Sequence, residues 1–165
     1  MRIIGIDPGL ANTGWGVIDA DGARLRMLDY GVIVTSSALP TAERLRIIAD
    51  AVQQRLEQFS PDTACVEQLF FAKNRTSAIA VAQSLGVILS EAARKNIPVE
   101  ELTPVQIKQS VTGDGRADKE AVQLMVRRIL GLKQTPEPDH AADALAAAVA
   151  GSRFYTFRRR IQEGV

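Results

Sequence analysis

Arg2-Ile3-Ile4-Gly5-Ile6-Asp7-Pro8-Gly9 is an apolar run that ends in an acid and then in a Pro-Gly turn signal. A short apolar run bounded by such a breaker reads as a buried strand, and the side chain that closes it, Asp7, reaches the edge of the sheet. Residues 15–20 and 24–35, separated by Asp21-Gly22, read as two further strands forming a hairpin. A helix start follows at Leu39-Pro40-Thr41-Ala42-Glu43, and Leu45, Ile48, Val52 and Leu56 recur at helical spacing until Ser60-Pro61 stops them. Residues 63–67 form a short strand that again closes on an acid, Glu67. The helix from Ser77 to Lys95 carries apolar residues wider around its axis than one core-facing stripe requires, which suggests two buried faces. After a brief strand over 99–102, Thr103-Pro104 starts a short helix, and the loop Gly113-Asp114-Gly115-Arg116 leads to a helix over 118–130. An alanine-rich helix runs from Asp139 to about Gly151. A strand meander feeding into helix-crossed parallel strands argues an α/β fold, a five-stranded mixed sheet with helices on both faces. The expected domain spans residues 1–152, and residues 153–165, with Arg158 to Arg160, read as a basic C-terminal tail with disorder as the prior.

A length of 165 residues supports one domain with a real core. With 46% hydrophobic and 24% charged residues the chain is an ordinary globule rather than a disordered or fibrous one. Twenty Lys plus Arg against 19 Asp plus Glu give a net charge of +1, so any basic surface must come from local clustering. Cys65 is the single cysteine, which excludes a disulfide framework and a Cys-rich metal site. The first residues lack the pattern of a signal peptide, and no apolar stretch is long enough to span a membrane, so a cytoplasmic protein is expected.

Asp7 and Glu67 both close strands, and in sheets with crossover helices the functional crevice lies at the carboxyl ends of the strands. Two acids there repel unless a cation sits between them. His140 and Asp143, spaced i and i+3, project from one face of the last helix, with Asp139 one turn before Asp143. Three carboxylates and one imidazole suit Mg²⁺ or Mn²⁺ better than zinc. Each piece also has a plain structural reading: Asp7 as a turn acid, Glu67 as a surface charge, Asp139 as a helix cap, His140 as the partner of a nearby acid. Joint occurrence favours the site, because Ala144 and Ala147 bring the helix close enough for the short Asp143 to reach the crevice of Asp7.

Asp7-Pro8-Gly9-Leu10-Ala11-Asn12-Thr13-Gly14-Trp15-Gly16, then Val66-Glu67-Gln68 with Phe70 and Ala72-Lys73-Asn74, then Pro104 to Gln109, then His140-Ala141-Ala142-Asp143-Ala144-Leu145-Ala146 resemble the RuvC Holliday-junction resolvases, in order and over nearly the whole chain. The resemblance implies an RNase H-like fold and a homodimeric endonuclease that nicks two strands of like polarity at a four-way DNA junction. It implies Asp7, Glu67, His140 and Asp143 as metal ligands, with His140 a departure because many members carry Asp there. It also makes Lys108 and Lys119 basic groups near the scissile strand and Phe70 a junction-facing aromatic. A branch-migration complex of RuvA with RuvB is an expected partner on the same ground.

Two divalent ions about 4 Å apart would activate water, neutralise the phosphorane and stabilise the leaving oxygen, with Asp7 bridging and Lys119 adding charge. Coordination needs a neutral His140, so activity is expected to fall as acid protonates it. Lys73, Arg75, Lys108, Arg116 and Lys119, read as lying in loops or at helix ends, are the candidate DNA contacts, with affinity falling as salt rises. Of Phe70 and Phe71, one is expected in the core and one facing DNA. The helix from Ser77 to Lys95 is the candidate dimer interface, against the plainer reading of a helix spanning the core. Asp7 to Gly14 also resembles the phosphate loop of the actin and sugar-kinase fold, but that fold closes two domains around its nucleotide. A junction-binding module without catalysis is a further alternative.

Overall fold

The structure, a computed structural model, describes residues 1–68 and 75–162, with the backbone alone at 75–77 and 156–162. Strands β1 (Arg2–Asp7), β2 (Asn12–Asp21) and β3 (Arg24–Val34) form an antiparallel meander, and Gly22 takes the positive φ its tight turn needs. Helix α1 (Thr41–Phe59) crosses to β4 (Thr63–Glu67), which pairs parallel with β1, and α2 (Arg75–Arg94) crosses to β5 (Val99–Leu102), parallel with β4. The sheet order is β3-β2-β1-β4-β5. Helices α3 (Pro104–Thr112), α4 (Lys119–Ile129) and α5 (Asp139–Gln162) complete the chain.

Central strand β1 is buried on both faces, as its continuous apolar run requires. Ile3 packs with Ile18, Cys65 and Leu102 against α3, α4 and α5, whereas Ile4 and Ile6 pack with Trp15, Val17 and Val66 against α1 and α2. Helices therefore cover both faces of a five-stranded mixed sheet, as expected. The helix ends follow local chemistry. Thr103 and Gln106 close a reciprocal capping box on α3, with Pro104 at its first turn, and the Asp118 side chain accepts from the Ala121 N–H to cap α4.

Helix α5 lies directly on β1 and β2. Its alanines from Ala141 to Ala150 are at most 1% exposed, and the strands beneath them carry glycine where the helix backbone passes. A Cβ at Gly5 would collide with the Ala144 carbonyl oxygen, and one at Gly14 with the His140 carbonyl oxygen. Glycine within a strand marks such a close approach.

Two boundaries differ from the sequence reading by three residues or more, and one residue lies elsewhere than expected. β2 begins at Asn12 rather than at residue 15, because Asn12, Thr13 and Gly14 pair with Val34, Ile33 and Val32, and the Thr13 hydroxyl donates to the Gly9 carbonyl. Helix α5 does not stop near Gly151 but continues to Gln162, so the residues read as a basic tail from position 153 begin inside it. Gly151 is not a terminating cap: it makes room for the thiol of Cys65, which a Cβ would strike. Lys108 lies midway along α3 rather than at an end or in a loop. Among the described residues no helix is long and apolar enough to cross a membrane.

Replacing Gly5 by Ala must lift α5 or strain β1, and overpacking of this kind costs about 1 to 3 kcal/mol or more. Urea unfolding of Gly5→Ala should show a lower midpoint at an unchanged m-value, the shift multiplied by m giving that loss of stability.

Candidate active site

Strands β1 and β4 run parallel with Ile6 beside Val66, so the acids that follow, Asp7 and Glu67, emerge side by side at the carboxyl edge of the sheet. Asp7 pairs across β2 with Gly14, the residue on which the His140 backbone is seated. That seat delivers the imidazole: His140 Nδ1 stands 2.7 Å from Asp7 Oδ2. Asp143, one turn further along α5, faces the same point, and one ligand atom each from Asp7, His140 and Asp143 lie within 4.8 Å of one another, all three residues half-buried. Glu67 is not in that tight group. It lines an adjoining cavity of about 240 Å³ with Asp143, Lys108, Lys119, Pro104 and Ile107.

Lys119, the first residue of α4, bridges two carboxylates of α5, with Nζ 3.0 Å from Asp139 and 3.1 Å from Asp143. The Gln123 amide donates to the other Asp139 oxygen at 3.0 Å. Asp139 is the first helical residue of α5, and its carboxylate serves these two side chains rather than capping the helix as the sequence suggested.

Burial pushes the Glu67 carboxyl up to about 7, and the nearby charges of Asp7 and Asp143 push it the same way, against a smaller opposing pull from Lys108 and Lys119. Burial also raises Asp7, and the hydrogen bond from His140 only partly offsets it. Burial works to lower the Lys119 ammonium, but its hydrogen bonds to Asp139 and Asp143 outweigh that and hold it above its ordinary value. The exposed Asp139 is held below the usual carboxylate range by Lys119 and then Gln123. Three acids are thus crowded where water is scarce, and one fixed ammonium is hydrogen-bonded at their rim. An arrangement of this kind favours a bound cation and a polyanionic substrate.

Of the residues singled out in the sequence, Asp7, His140 and Asp143 converge, and Glu67, Lys108 and Lys119 line the adjoining cavity. Arg116 is exposed in the loop between α3 and α4, where its N–H donates to the Asp114 carboxylate. Arg75 is the first residue of α2, with its side chain outside the description, and Phe70, Phe71 and Lys73 lie outside the described residues. Sequence reasoning missed Gln123, which holds Asp139, and the glycine seats at Gly5 and Gly14. Glycines inside otherwise regular strands were the available signal for the seats; Gln123 offered none.

The model of a protein family described as crossover junction endodeoxyribonuclease RuvC matches residues 3–151. The RuvC crossover junction endodeoxyribonuclease of Brevibacillus brevis is 48% identical over 165 residues, covering 100% of this chain and 99% of that protein. The enzyme of the same name from Treponema pallidum is 53% identical over 147 residues, covering 89% of this chain and 75% of that protein. Among solved structures, Thermus thermophilus RuvC in complex with a Holliday junction substrate superposes with a TM-score of 0.92 at 39% identity, covering 96% of each chain. The fowlpox virus resolvase, at 16% identity and a TM-score of 0.59, shares the RNase H-like fold. The matched span includes all four residues that the two strand ends and α5 bring to one edge of the sheet, and with whole-length identity near one half the chain belongs to the RuvC family of crossover junction endodeoxyribonucleases.

Proposed function

We propose that this chain resolves four-way DNA junctions by paired, symmetric, metal-dependent hydrolysis of phosphodiester bonds at the pocket of Asp7, Glu67, His140 and Asp143. The observation that carries the reading is the convergence of Asp7, His140 and Asp143 within 4.8 Å, beside a Glu67 whose carboxyl is pushed up to about 7 by burial and then by the charges of Asp7 and Asp143. Clustered half-buried carboxylates repel one another, and divalent cations relieve that repulsion. The donor set of carboxylate oxygens and one imidazole nitrogen fits Mg²⁺ or Mn²⁺, two ions per site. Asp7, His140 and Asp143, with Glu67 beside them, would hold the ions. Ions held there would lower the pKa of a water, neutralise charge on the phosphoryl group and stabilise the leaving 3′ oxygen.

The remaining groups position the strand. Lys119, fixed by Asp139 and Asp143, offers positive charge to a non-bridging phosphate oxygen, and Lys108 offers a second across the cavity. Phe70, Lys73, Arg75 and Arg116 are assigned to the DNA surface that surrounds the pocket. A DNA-binding repair and recombination enzyme of this kind acts in the cytoplasm, and the branch-migration motor of RuvA with RuvB is its proposed partner.

Paired nicks need two pockets, and the outward flank of α2 is the proposed two-fold interface. Its Ala78, Ser84, Leu85, Ile88 and Ala92 are buried within the chain, whereas Ile79 is 61% exposed and Ala82, Gly86, Ser90 and Ala93 share the open flank. Gly86 costs about 1 kcal/mol relative to Ala in a helix interior, and a Cβ there would meet nothing within 4 Å in its own chain. A glycine that its own chain does not require fits close approach by a second α2, as a symmetric dimer needs.

Three outcomes test these assignments. With a labelled four-way junction and a matched linear duplex in Mg²⁺ or Mn²⁺, the chain should place symmetric nicks on the junction alone. Asp7→Asn should cut the rate by at least about 100-fold, the scale on which a central electrostatic element acts; undiminished nicking would reject the pocket. Between the ordinary value of 4.5 and about 7 the folded chain keeps a proton on Glu67 that the unfolded chain has released. Stability of the ion-free protein should therefore decline as pH rises through that window, by up to about 3 kcal/mol. Added Mg²⁺ should reverse the decline, and Glu67→Gln should flatten it, both read by urea unfolding at a series of pH values. Gly86→Ala should leave the monomer as stable or up to about 1 kcal/mol more so, while sedimentation velocity shows the dimer dissociating at higher protein concentration than wild type.

A further inference from the structure

A second polar groove of about 440 Å³ lies outside the pocket of Asp7, where β3, the last turn of α4 and the segment leading to α5 meet. Tyr30, Arg127, Lys133, Gln134, Thr135 and Glu137 line it. Arg127 is half-buried, yet among the described residues no carboxylate stands within salt-bridge distance of it, nor of Lys133. Arg2, Lys95 and Lys119, by contrast, each sit against an acid. A guanidinium with no acid against it is available to an anion, and its planar fork matches a phosphate. Glu137 is the only acid among the lining residues, so two cations leave the groove positive. The Tyr30, Gln134 and Thr135 side chains are the hydrogen-bonding groups that a phosphate oxygen accepts from.

The position of the groove indicates the source of that anion. Lys119, Gln123 and Arg127 follow one another at i, i+4 and i+8 on one flank of α4, so the backbone of Arg127 lies about 12 Å along the helix from that of Lys119, whose ammonium stands at the rim of the Asp7 pocket. Tyr30 pairs opposite Gly16, and Gly16 opposite Gly5, which puts the groove two strands across from β1 and two residues back from Asp7. At about 3.4 Å of helix axis per nucleotide, 12 Å corresponds to three or four nucleotides of one strand.

We infer that this groove is a phosphate-binding subsite for the backbone of a duplex arm leading away from the Asp7 pocket, with Arg127 and Lys133 as its cations. The inference rests on the junction-cleaving reading above and deepens it. Contacts of this kind fix the arm's direction without reading its sequence.

The test is junction affinity against salt, measured without divalent ions so that no cutting occurs. Each phosphate contact contributes about 0.9 to the slope of log Kd against log salt concentration. The double variant Arg127→Gln, Lys133→Gln should lower that slope by about two, and Lys133→Gln alone, at an exposed position where substitutions change stability little, by about one. Arg127→Lys, which keeps the charge, should restore most of the loss attributable to position 127. Arg46→Gln, on α1 across the sheet, controls for a general loss of positive charge and should leave the slope unchanged. A wild-type slope in both Lys133→Gln and the double variant, or an equal drop in Arg46→Gln, overturns the subsite while leaving junction cleavage standing. Failure of the wild-type chain to prefer junctions at any salt concentration overturns the functional reading and the subsite with it.

Discussion

The approach of the α5 backbone to β1 and β2 is the constraint on which the rest of the molecule depends. Ala144 and Ala148 pass over Gly5, and His140 over Gly14, at distances that leave no room for a Cβ on the strands. Because the helix is that close, two short side chains, His140 and Asp143, can meet the equally short Asp7 at the end of the central strand. Were the helix held off by ordinary side chains, at the roughly 10 Å common between packed layers, Asp143 could not reach. Longer acids would then be needed, with more rotamers to fix.

Crowding of the acids follows from the same packing. The helix that brings Asp143 in also excludes water, so the charges of Asp7, Glu67 and Asp143 act on one another with little screening. His140 beside Asp7 and Lys108 near Glu67 offset this in part, and at the rim Lys119 spans Asp139 and Asp143 while Gln123 holds Asp139 in place. Helix α4 therefore does two things with one flank: it fixes a cation beside the acids and carries further positive charge away from them.

Much of this was legible in the sequence because the signals were local. The run from Arg2 to Asp7, the breaker at Ser60-Pro61 and the Thr103-Pro104 start each fix a boundary by chemistry within a few residues, and β4 and β5 begin and end where those signals put them. The acids at the strand ends were legible for the same reason. Features that depend on a partner far along the chain were not. The role of Asp139 is set by Lys119 and Gln123 on another helix, so position alone suggested a cap. The continuation of α5 past Gly151 was hidden because glycine usually marks a helix end, whereas here it accommodates Cys65, eighty-six positions earlier.

The Gly151 seat has a practical corollary for anyone who wants to attach a probe. Cys65 is 1% exposed beneath that glycine, and burial pushes its thiol up to about 12, so it presents almost no thiolate to an electrophile at neutral pH. The wild-type chain is in effect a cysteine-free background. A thiol introduced at an open surface position would take a maleimide dye selectively, without first removing a residue on which the packing of α5 relies.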